Sequence, residues 1–173
     1  MRQMIKKPMF SNYERRLVWL LSSGALNAMH TCHPTQRYWK IIDNYDRGFP
    51  NPNDTQIEVD LKRTFPGEEF YQDPEILNSL RRVCIAYTIR NPEIGYCQGF
   101  NFIVGRFLRI MSEEEAFWML AMLLENFIPL DYYSKLVGVI IDHSCLNELI
   151  ETRMQDLCEH LKEAFFDPKI VTF

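Results

Sequence analysis

The sequence predicts an all-α domain, a single multi-helix fold of six to eight helices. Two observations carry this prediction: helix-capping patterns recur ahead of helically spaced apolar residues, and no comparable series of strand signals occurs. Hydrophobic residues make up 47% of the 173 residues and charged residues 24%, which is typical of a globular protein. This composition excludes a disordered or low-complexity chain.

The N-terminal part of the chain contains two predicted helices. Residues 11–14 read Ser-Asn-Tyr-Glu and match a capping box, in which the serine and the glutamate satisfy the free amides of a helix start. Three leucines continue the helical spacing up to Gly24, a typical stop. A second, shorter helix is predicted from Pro34 to about Tyr45.

A stretch rich in proline and glycine follows, from Asp46 to Asp73. The density of these helix-breaking residues predicts a loop rather than one continuous element. Long loops in compact domains are uncommon and are often functional. This stretch is therefore the first place where a functional residue is expected.

The central helices have clear boundary signals. Residues 73–75 read Asp-Pro-Glu and combine a cap with a proline at the first helical position. The Asn-Pro pair at 91–92 ends the same helix, because the residue before a proline disfavours helical geometry. A further helix is predicted from Gln98 or Gly99 to Met111.

The C-terminal third is predicted to hold three helices. Residues 112–115 form a second capping box ahead of a largely apolar helix that runs to about Asn126. Asp131 caps the next helix, and apolar residues at helical spacing over 146–165 predict the last one.

Composition and charge also narrow the domain organisation and the functional class. We interpret the chain as an N-terminal extension (1–10) followed by one domain (11–173), since no linker or repeat divides it. A net charge of −4 argues against a nucleic acid partner. The longest apolar run, residues 116–124, falls short of the about 20 residues that span a bilayer, so we expect no direct membrane insertion. Five irregularly spaced cysteines favour a reduced, cytoplasmic setting.

The first candidate for chemistry lies inside the predicted loop, at residues 57–66 (Ile-Glu-Val-Asp-Leu-Lys-Arg-Thr-Phe-Pro). Pro66 makes a helix beyond Arg63 unfavourable, so Arg63 is expected to project from a constrained turn. Asp60, three residues earlier, can hold the guanidinium through charge-assisted hydrogen bonds. The alternative is an ordinary surface ion pair, which is common and contributes little.

The second candidate is the segment at residues 95–99 (Gly-Tyr-Cys-Gln-Gly). The flanking glycines let the backbone approach a partner closely, and Gln98 offers one acceptor and two donors, enough to orient a water molecule. The alternative is a turn whose glutamine merely caps a helix. Together, an arginine and a glutamine presented on turns supply what assisted phosphoryl transfer needs, namely charge neutralisation and a positioned water.

With both motifs in this order, the sequence resembles the TBC domain of Rab GTPase-activating proteins. Residues 57–63 match the I-x-x-D-x-x-R motif of that family, and residues 96–98 match its Y-x-Q motif. Further matches occur in the first helix and in the segments around both motifs, so the resemblance covers roughly residues 11–165.

The resemblance implies a dual-finger mechanism that acts on a partner protein. Arg63 would be an arginine finger inserted into the nucleotide site of a GTP-bound Rab GTPase, and Gln98 would replace the water-positioning glutamine of that GTPase. The chain would carry no cofactor, because GTP and Mg²⁺ arrive with the partner. It would be a GTPase activator rather than an enzyme, acting in vesicle traffic, cytoplasmic and peripheral on membranes through its Rab.

The same resemblance implies a set of supporting residues. Asp60 would fix the arginine loop, Tyr96 would help to place the glutamine, and Ile57 would anchor the loop in the core. Gly99 and Asn101 belong to the matched stretch and are further supporting candidates.

Two departures from the family pattern change the expectations. Residues 7–10 read Lys-Pro-Met-Phe where the family has a Gly-Ile-Pro element, and the later helices of the family, with their Trp-Phe-Leu and Arg-Val-Trp-Asp stretches, do not occur. We therefore expect a domain without its C-terminal helices, whose exposed apolar surface favours self-association. The alternative function is a non-catalytic, Rab-binding helical scaffold.

Two other clusters suggest different chemistry and are disfavoured. Residues 30–33 (His-Thr-Cys-His) offer three potential metal ligands, but a structural zinc site needs four and no second pair follows, so no metal site is expected. Cys97 would be the nucleophile of a hydrolase only if His143 or His160 served as its base, and nothing in the spacing brings them together.

Overall fold

The computed structural model describes residues 11–46, 48, 51–129 and 131–164. Within these residues every regular element is helical, which confirms the all-α prediction. The chain divides into two compact units, Met1–Phe127 and Ile128–Phe173. The predicted extension (1–10) and the end of the last predicted helix, at Phe165, lie outside the described residues.

Ten α-helices occur in the described residues, more than the six to eight that the sequence predicts. Those of the first unit are α1 (Asn12–Ser23), α2 (Ala25–Thr31), α3 (Tyr38–Asp46), α4 (Asp54–Leu61), α5 (Pro74–Arg90), α6 (Phe100–Leu108) and α7 (Glu113–Met122). Those of the second unit are α8 (Asp131–Ser134), α9 (Val137–Arg153) and α10 (Gln155–Glu163). Shorter elements are two 3₁₀ turns, Pro34–Gln36 and Glu69–Gln72, and a π turn, Leu123–Phe127.

The two predicted capping boxes form as expected. The Ser11 N–H donates to Glu14 Oε2 at 2.9 Å, and the Glu14 N–H donates to Ser11 Oγ at 3.2 Å. At the start of α7 the Ser112 N–H donates to Glu115 Oε2 at 2.9 Å. Helix α1 ends before Gly24, which adopts the left-handed conformation usual after a helix.

Two sequence predictions about element boundaries were wrong. The stretch from Asp46 to Asp73 is not a loop throughout, because it contains α4 and a 3₁₀ turn. The predicted stop of α1 at Gly24 is confirmed, but the separate helix α2, which starts directly after Gly24, was not predicted. The predicted last helix is interrupted at Met154, whose φ of −134° and ψ of 57° separate α9 from α10.

The core of the first unit is built around α5 and α7. Leu80, Val83 and Tyr87 of α5 are fully buried, as are Phe117 and Leu120 of α7. Each such side chain stabilises the fold by about 1.5–3 kcal/mol through burial. Helices α4 and α6 both contact α5 and also contact each other. The turn after α4 and the turn before α6 are therefore brought close together.

The second unit is less buried in its described residues. None of the residues described in α8, α9 and α10 is buried. Helix α8 packs on α9, where the Tyr132 hydroxyl donates to Asp142 Oδ2 at 2.7 Å. Ile140, Ile141 and Leu149 of α9 are exposed by more than half. In the described residues of both units, no helix is long and apolar enough to cross a bilayer.

Candidate functional site

The predicted arginine lies on a tight turn after α4, here called the arginine turn (residues 62–67). The Arg63 N–H donates to the Asp60 carbonyl at 3.2 Å, and the Thr64 N–H donates to the Leu61 carbonyl at 3.1 Å. The Thr64 hydroxyl also donates to the Asp60 carbonyl, at 2.8 Å. These bonds close the turn, and the Arg63 side chain remains 48% exposed.

Asp60 is a fully buried carboxylate at the end of α4, with 0% exposure. Its Oδ1 accepts from Arg63 Nη2 at 2.6 Å and from Gln56 Nε2 at 2.9 Å, and its Oδ2 accepts from the Tyr96 hydroxyl at 2.9 Å. A buried charge is costly unless it is paired and hydrogen-bonded, and Asp60 is both. One carboxylate therefore binds the arginine turn on one oxygen and the Tyr-x-Gln segment on the other.

The predicted glutamine lies on the second turn, here called the glutamine turn (residues 95–99). Gly95 has a φ of 64° and Gly99 a φ of 99°, left-handed values that glycine adopts without strain. Gly99 is the N-cap of α6, so the turn leads directly into that helix. Gln98 is exposed.

Tyr96 fixes the glutamine turn to α4. Its backbone N–H donates to Asn53 Oδ1 at 3.4 Å, and its hydroxyl donates to Asp60. Burial, the neighbouring Cys84 and the hydrogen bond to Asp60 all raise the pKa of Tyr96. The hydroxyl therefore stays protonated and remains a donor to the carboxylate.

The other predicted supporting residues lie beside the same network. Asn101, in the first turn of α6 and 1% exposed, donates from Nδ2 to Thr64 Oγ1 at 2.8 Å and to the Asp60 carbonyl at 3.3 Å. Ile57 lies in the core at 1% exposure, on the buried side of α4. The structure thus gathers all the predicted site residues around Asp60 or on the two turns, with Arg63 and Gln98 as exposed members.

Sequence reasoning missed two residues of this site. Gln56 precedes Asp60 by four residues, a spacing that places both on one face of a helix, but the segment was predicted to be a loop. Phe65 adopts a φ of 44°, an outlier for a bulky residue that costs about 1–3 kcal/mol. Pro66 signals a restricted Phe65, yet nothing in the sequence predicts a left-handed one.

The disfavoured clusters acquire no further support from the structure. Burial raises the pKa of Cys97, whose Sγ lies 4.0 Å from the Ile94 carbonyl oxygen, and a raised pKa makes a thiol a weaker nucleophile at neutral pH. His33 precedes the 3₁₀ turn Pro34–Gln36, and its Nδ1 lies 2.8 Å from Thr35 Oγ1 of that turn. In the part of the chain that the structure describes, no group of three or more His, Cys, Asp or Glu is arranged to hold a metal ion.

Sequence comparison finds relatives among much longer proteins. TBC1 domain family member 2B of Xenopus tropicalis is 40% identical over 126 residues, which cover 71% of this chain and 13% of that protein. TBC1 domain family member 2A of Rattus norvegicus is 37% identical over 131 residues, covering 73% and 14%. The chain therefore spans only a small part of the length of these relatives.

Comparison of folds gives the same grouping. The crystal structure of the Chlamydomonas flagellar RabGAP TBC domain matches with a TM-score of 0.75 and 30% identity, covering 96% of this chain and 54% of that one. The Ypt/Rab-GAP domain of Gyp1p matches with a TM-score of 0.61 over 89% and 59%, and at 23% identity it shows likeness of fold alone. The model of the Rab-GTPase-TBC domain family matches residues 12–173. The chain belongs to the Rab-GTPase-TBC domain family.

Proposed function

We propose that this chain accelerates GTP hydrolysis by a Rab-family GTPase and supplies Arg63 and Gln98 to the reaction in trans. The observation that carries the proposal is that both side chains are exposed on turns tied to opposite oxygens of Asp60. Family membership and the printed description of the flagellar neighbour as a RabGAP support the partner class.

Arg63 neutralises the charge that develops on the transferring phosphoryl group. A guanidinium presents several N–H donors in a rigid plane, which suits the equatorial oxygens of that group. The pairing with Asp60 restricts the orientations of the side chain before the partner binds, so less entropy is lost on insertion. The exposure of the side chain leaves the guanidinium accessible to the GTPase.

Gln98 orients the attacking water. Its carboxamide oxygen accepts a hydrogen bond from the water, and its amide N–H groups donate to the phosphoryl oxygens or to the GTPase backbone. GTP and Mg²⁺ belong to the GTP-bound partner, and this chain contributes side chains without holding the nucleotide. It is thus a GTPase activator, and the chemistry takes place in the site of the GTPase.

The test is phosphate release from a panel of GTP-loaded Rab GTPases, with and without this chain. We expect wild type to accelerate release from at least one Rab and Arg63→Ala to lose roughly 10³–10⁵-fold of that acceleration. Lys62→Ala is the matched control, because it removes the neighbouring charge on the same turn and keeps the finger. Full stimulation by Arg63→Ala would contradict the mechanism, and binding to a GTP-loaded Rab with unchanged turnover in wild type would favour a non-catalytic scaffold.

The setting follows from the partner. A GTPase activator that binds membrane-attached Rabs acts in the cytoplasm, is peripheral on membranes through that partner, and regulates vesicle traffic. Co-sedimentation with vesicles that carry a GTP-loaded Rab tests this, with Rab-free vesicles as the control. Equal sedimentation with both would contradict recruitment through the Rab.

Self-association of the chain is a separate part of the proposal. Ile140, Ile141 and Leu149 of α9 are 58%, 55% and 55% exposed, and exposed apolar groups of this kind favour association. We expect a mass above that of a monomer in light scattering at micromolar concentration, and a lower mass for Ile140→Glu. A monomeric wild type would contradict this part.

A further inference from the structure

The ring of Phe65, two residues after Arg63, is enclosed by a small cluster. Its centroid lies 4.9 Å from that of Tyr71 and 5.1 Å from that of Phe102, and the guanidinium of Arg106 lies 3.9 Å above the ring centroid. Residue 105 of α6 is a glycine, and a Cβ there would lie 3.2 Å from Phe65 Cε2. The absence of a side chain at Gly105 therefore lets the ring sit against α6.

Two arginines of α6 and its C-terminal end share one carboxylate beside this cluster. Arg106 Nη2 lies 3.0 Å from Glu68 Oε1, and Arg109 forms an ion pair with Glu68 Oε2. Their stacking partners differ, since Arg106 lies over Phe65 whereas Arg109 lies 5.6 Å from the centroid of Phe70. The two arginines form a matched pair that differs in its contact with Phe65.

The backbone conformation of Phe65 is strained and has to be stabilised by the packing of its ring. A φ of 44° lies in the left-handed region, where a side chain with a Cβ is strained, so the turn keeps this geometry only when its surroundings enforce it. Between Arg63 and Phe65, the chain is fixed by the bonds of Thr64 to the Asp60 carbonyl and to Asn101. The orientation of the Arg63 side chain therefore depends on the arginine turn, whose C-terminal part is held in place by the packing of the Phe65 ring.

We propose that Phe65 is a positioning residue for Arg63 and that Arg106, stacked on its ring, holds it in the left-handed conformation. This inference rests on the proposed function. The Arg106 side chain is 51% exposed. It acts on Arg63 indirectly, through its cation–π contact with the face of the Phe65 ring, and not by touching the reacting atoms. Loss of the stacked cation makes the arginine turn more mobile, and the guanidinium of Arg63 then moves away from the position that catalysis requires.

The first experiment compares Arg106→Gln with Arg109→Gln in single-turnover hydrolysis by a Rab that wild type stimulates. Arg106 is exposed, so its variant is expected to fold. Because a misplacement of about 1 Å can cost ~10²-fold, we expect Arg106→Gln to lower the maximal stimulated rate by roughly 10- to 100-fold. The concentration that gives half-maximal stimulation should stay within about twofold, because binding is retained.

Control variants separate this inference from simpler readings. Arg109→Gln removes the other ion pair with Glu68 and should leave both parameters near wild type, whereas Arg106→Lys keeps a cation over the ring and should restore most of the rate. Equal losses in the Arg106→Gln and Arg109→Gln variants would assign the effect to the Glu68 pair and overturn the inference. A higher concentration for half-maximal stimulation at an unchanged maximal rate would indicate that Arg106 contacts the GTPase directly. This result would also overturn the inference.

The second experiment needs no GTPase. The side-chain N–H signals of Arg63, observed by NMR in the chain alone, report whether its guanidinium is held by Asp60. We expect restricted signals in wild type and Arg109→Gln and averaged signals in Arg106→Gln. Restricted signals in Arg106→Gln would overturn the positioning role even if no Rab is stimulated, so failure of this inference and failure of the proposed function are distinguishable.

Discussion

The arginine turn is held largely by side chains, whereas the glutamine turn is held by two glycines and one tyrosine. On the first, Phe65 keeps a strained φ of 44° under Arg106, and Thr64 is tied to Asn101. On the second, Gly95 and Gly99 adopt positive φ angles without strain. The arginine turn should therefore be sensitive to lost contacts, and the glutamine turn to lost backbone freedom.

Gln98→Ala gives the largest effect after the loss of Arg63 itself. We expect the maximal stimulated rate to fall on the order of 10²-fold, because the water loses its orienting group while the charge on the phosphoryl oxygens is still neutralised. Single-turnover phosphate release measures this. Cys97→Ala, in the same turn, is the control and should retain the wild-type rate. A Gln98→Ala variant as active as wild type would confine catalysis to the arginine turn.

Asp60→Asn tests the carboxylate that the two turns share. Loss of the charge weakens the bonds from Arg63 and Tyr96, so we expect the free energy of unfolding to fall by about 1–3 kcal/mol and the stimulated rate to fall with it. Urea unfolding and phosphate release measure the two effects.

A double-mutant cycle shows whether the two bonds meet at Asp60. Tyr96→Phe removes the hydroxyl that donates to Oδ2, so it should destabilise wild type by about 1 kcal/mol and the Asp60→Asn variant by clearly less. Equal losses in both backgrounds would mean that the tyrosine acts independently of the carboxylate.

Gly99→Ala tests the dependence of the glutamine turn on backbone freedom. Its φ is 99°, and among the described residues nothing lies within 4 Å of an added Cβ, so the cost comes from the backbone alone. We expect a loss of about 1–2 kcal/mol in urea unfolding. Gly67→Ala in the arginine turn is the control, since its φ is not in the left-handed region and its surroundings are equally open. Similar stabilities of the two variants would contradict the comparison.

Acid should destabilise the first unit through α7. Burial alone would raise the pKa of Glu113 and Glu115, but donors that include Arg82 and Arg16 hold both below the ordinary value of 4.5. The native state thus binds fewer protons than the unfolded chain between the two pKa values. The stabilisation is present above pH 4.5 and is lost as the pH falls through the lower, native values. Urea unfolding between pH 7 and pH 3 measures this, and a flat profile would contradict it.

Much of the fold was accessible from local signals. The capping boxes at residues 11–14 and 112–115 and the Asp-Pro start of α5 act within one turn of chain, so the sequence contains all their partners. Helix α4 was missed because prolines and glycines flank it on both sides and because one of its buried positions is an aspartate. Ile57, Asp60 and Leu61 share its buried side, and an acidic residue interrupts the apolar pattern that predicts a helix.

The residues of the site also divide into those that local signals predicted and those that they did not. Pro66 and the glycines beside Gln98 predicted that Arg63 and Gln98 lie on turns, and both are exposed on turns in the structure. The hydrogen bond from Gln56 to Asp60 spans only four residues and was missed together with α4, whereas the left-handed Phe65 depends on packing against α6 and the 3₁₀ turn at Glu69–Gln72. Such contacts join residues far apart in sequence, and no local pattern predicts them.

The proposed mechanism requires that the two turns present their side chains together to the nucleotide of a partner. A crystal structure of this chain bound to a stimulated Rab, with GDP and an aluminium fluoride mimic of the transferring phosphoryl group, tests it most directly. We expect Arg63 and Gln98 both to lie within about 2.7–3.2 Å of the mimic or of the attacking water. A complex in which either turn lies outside the interface would contradict it.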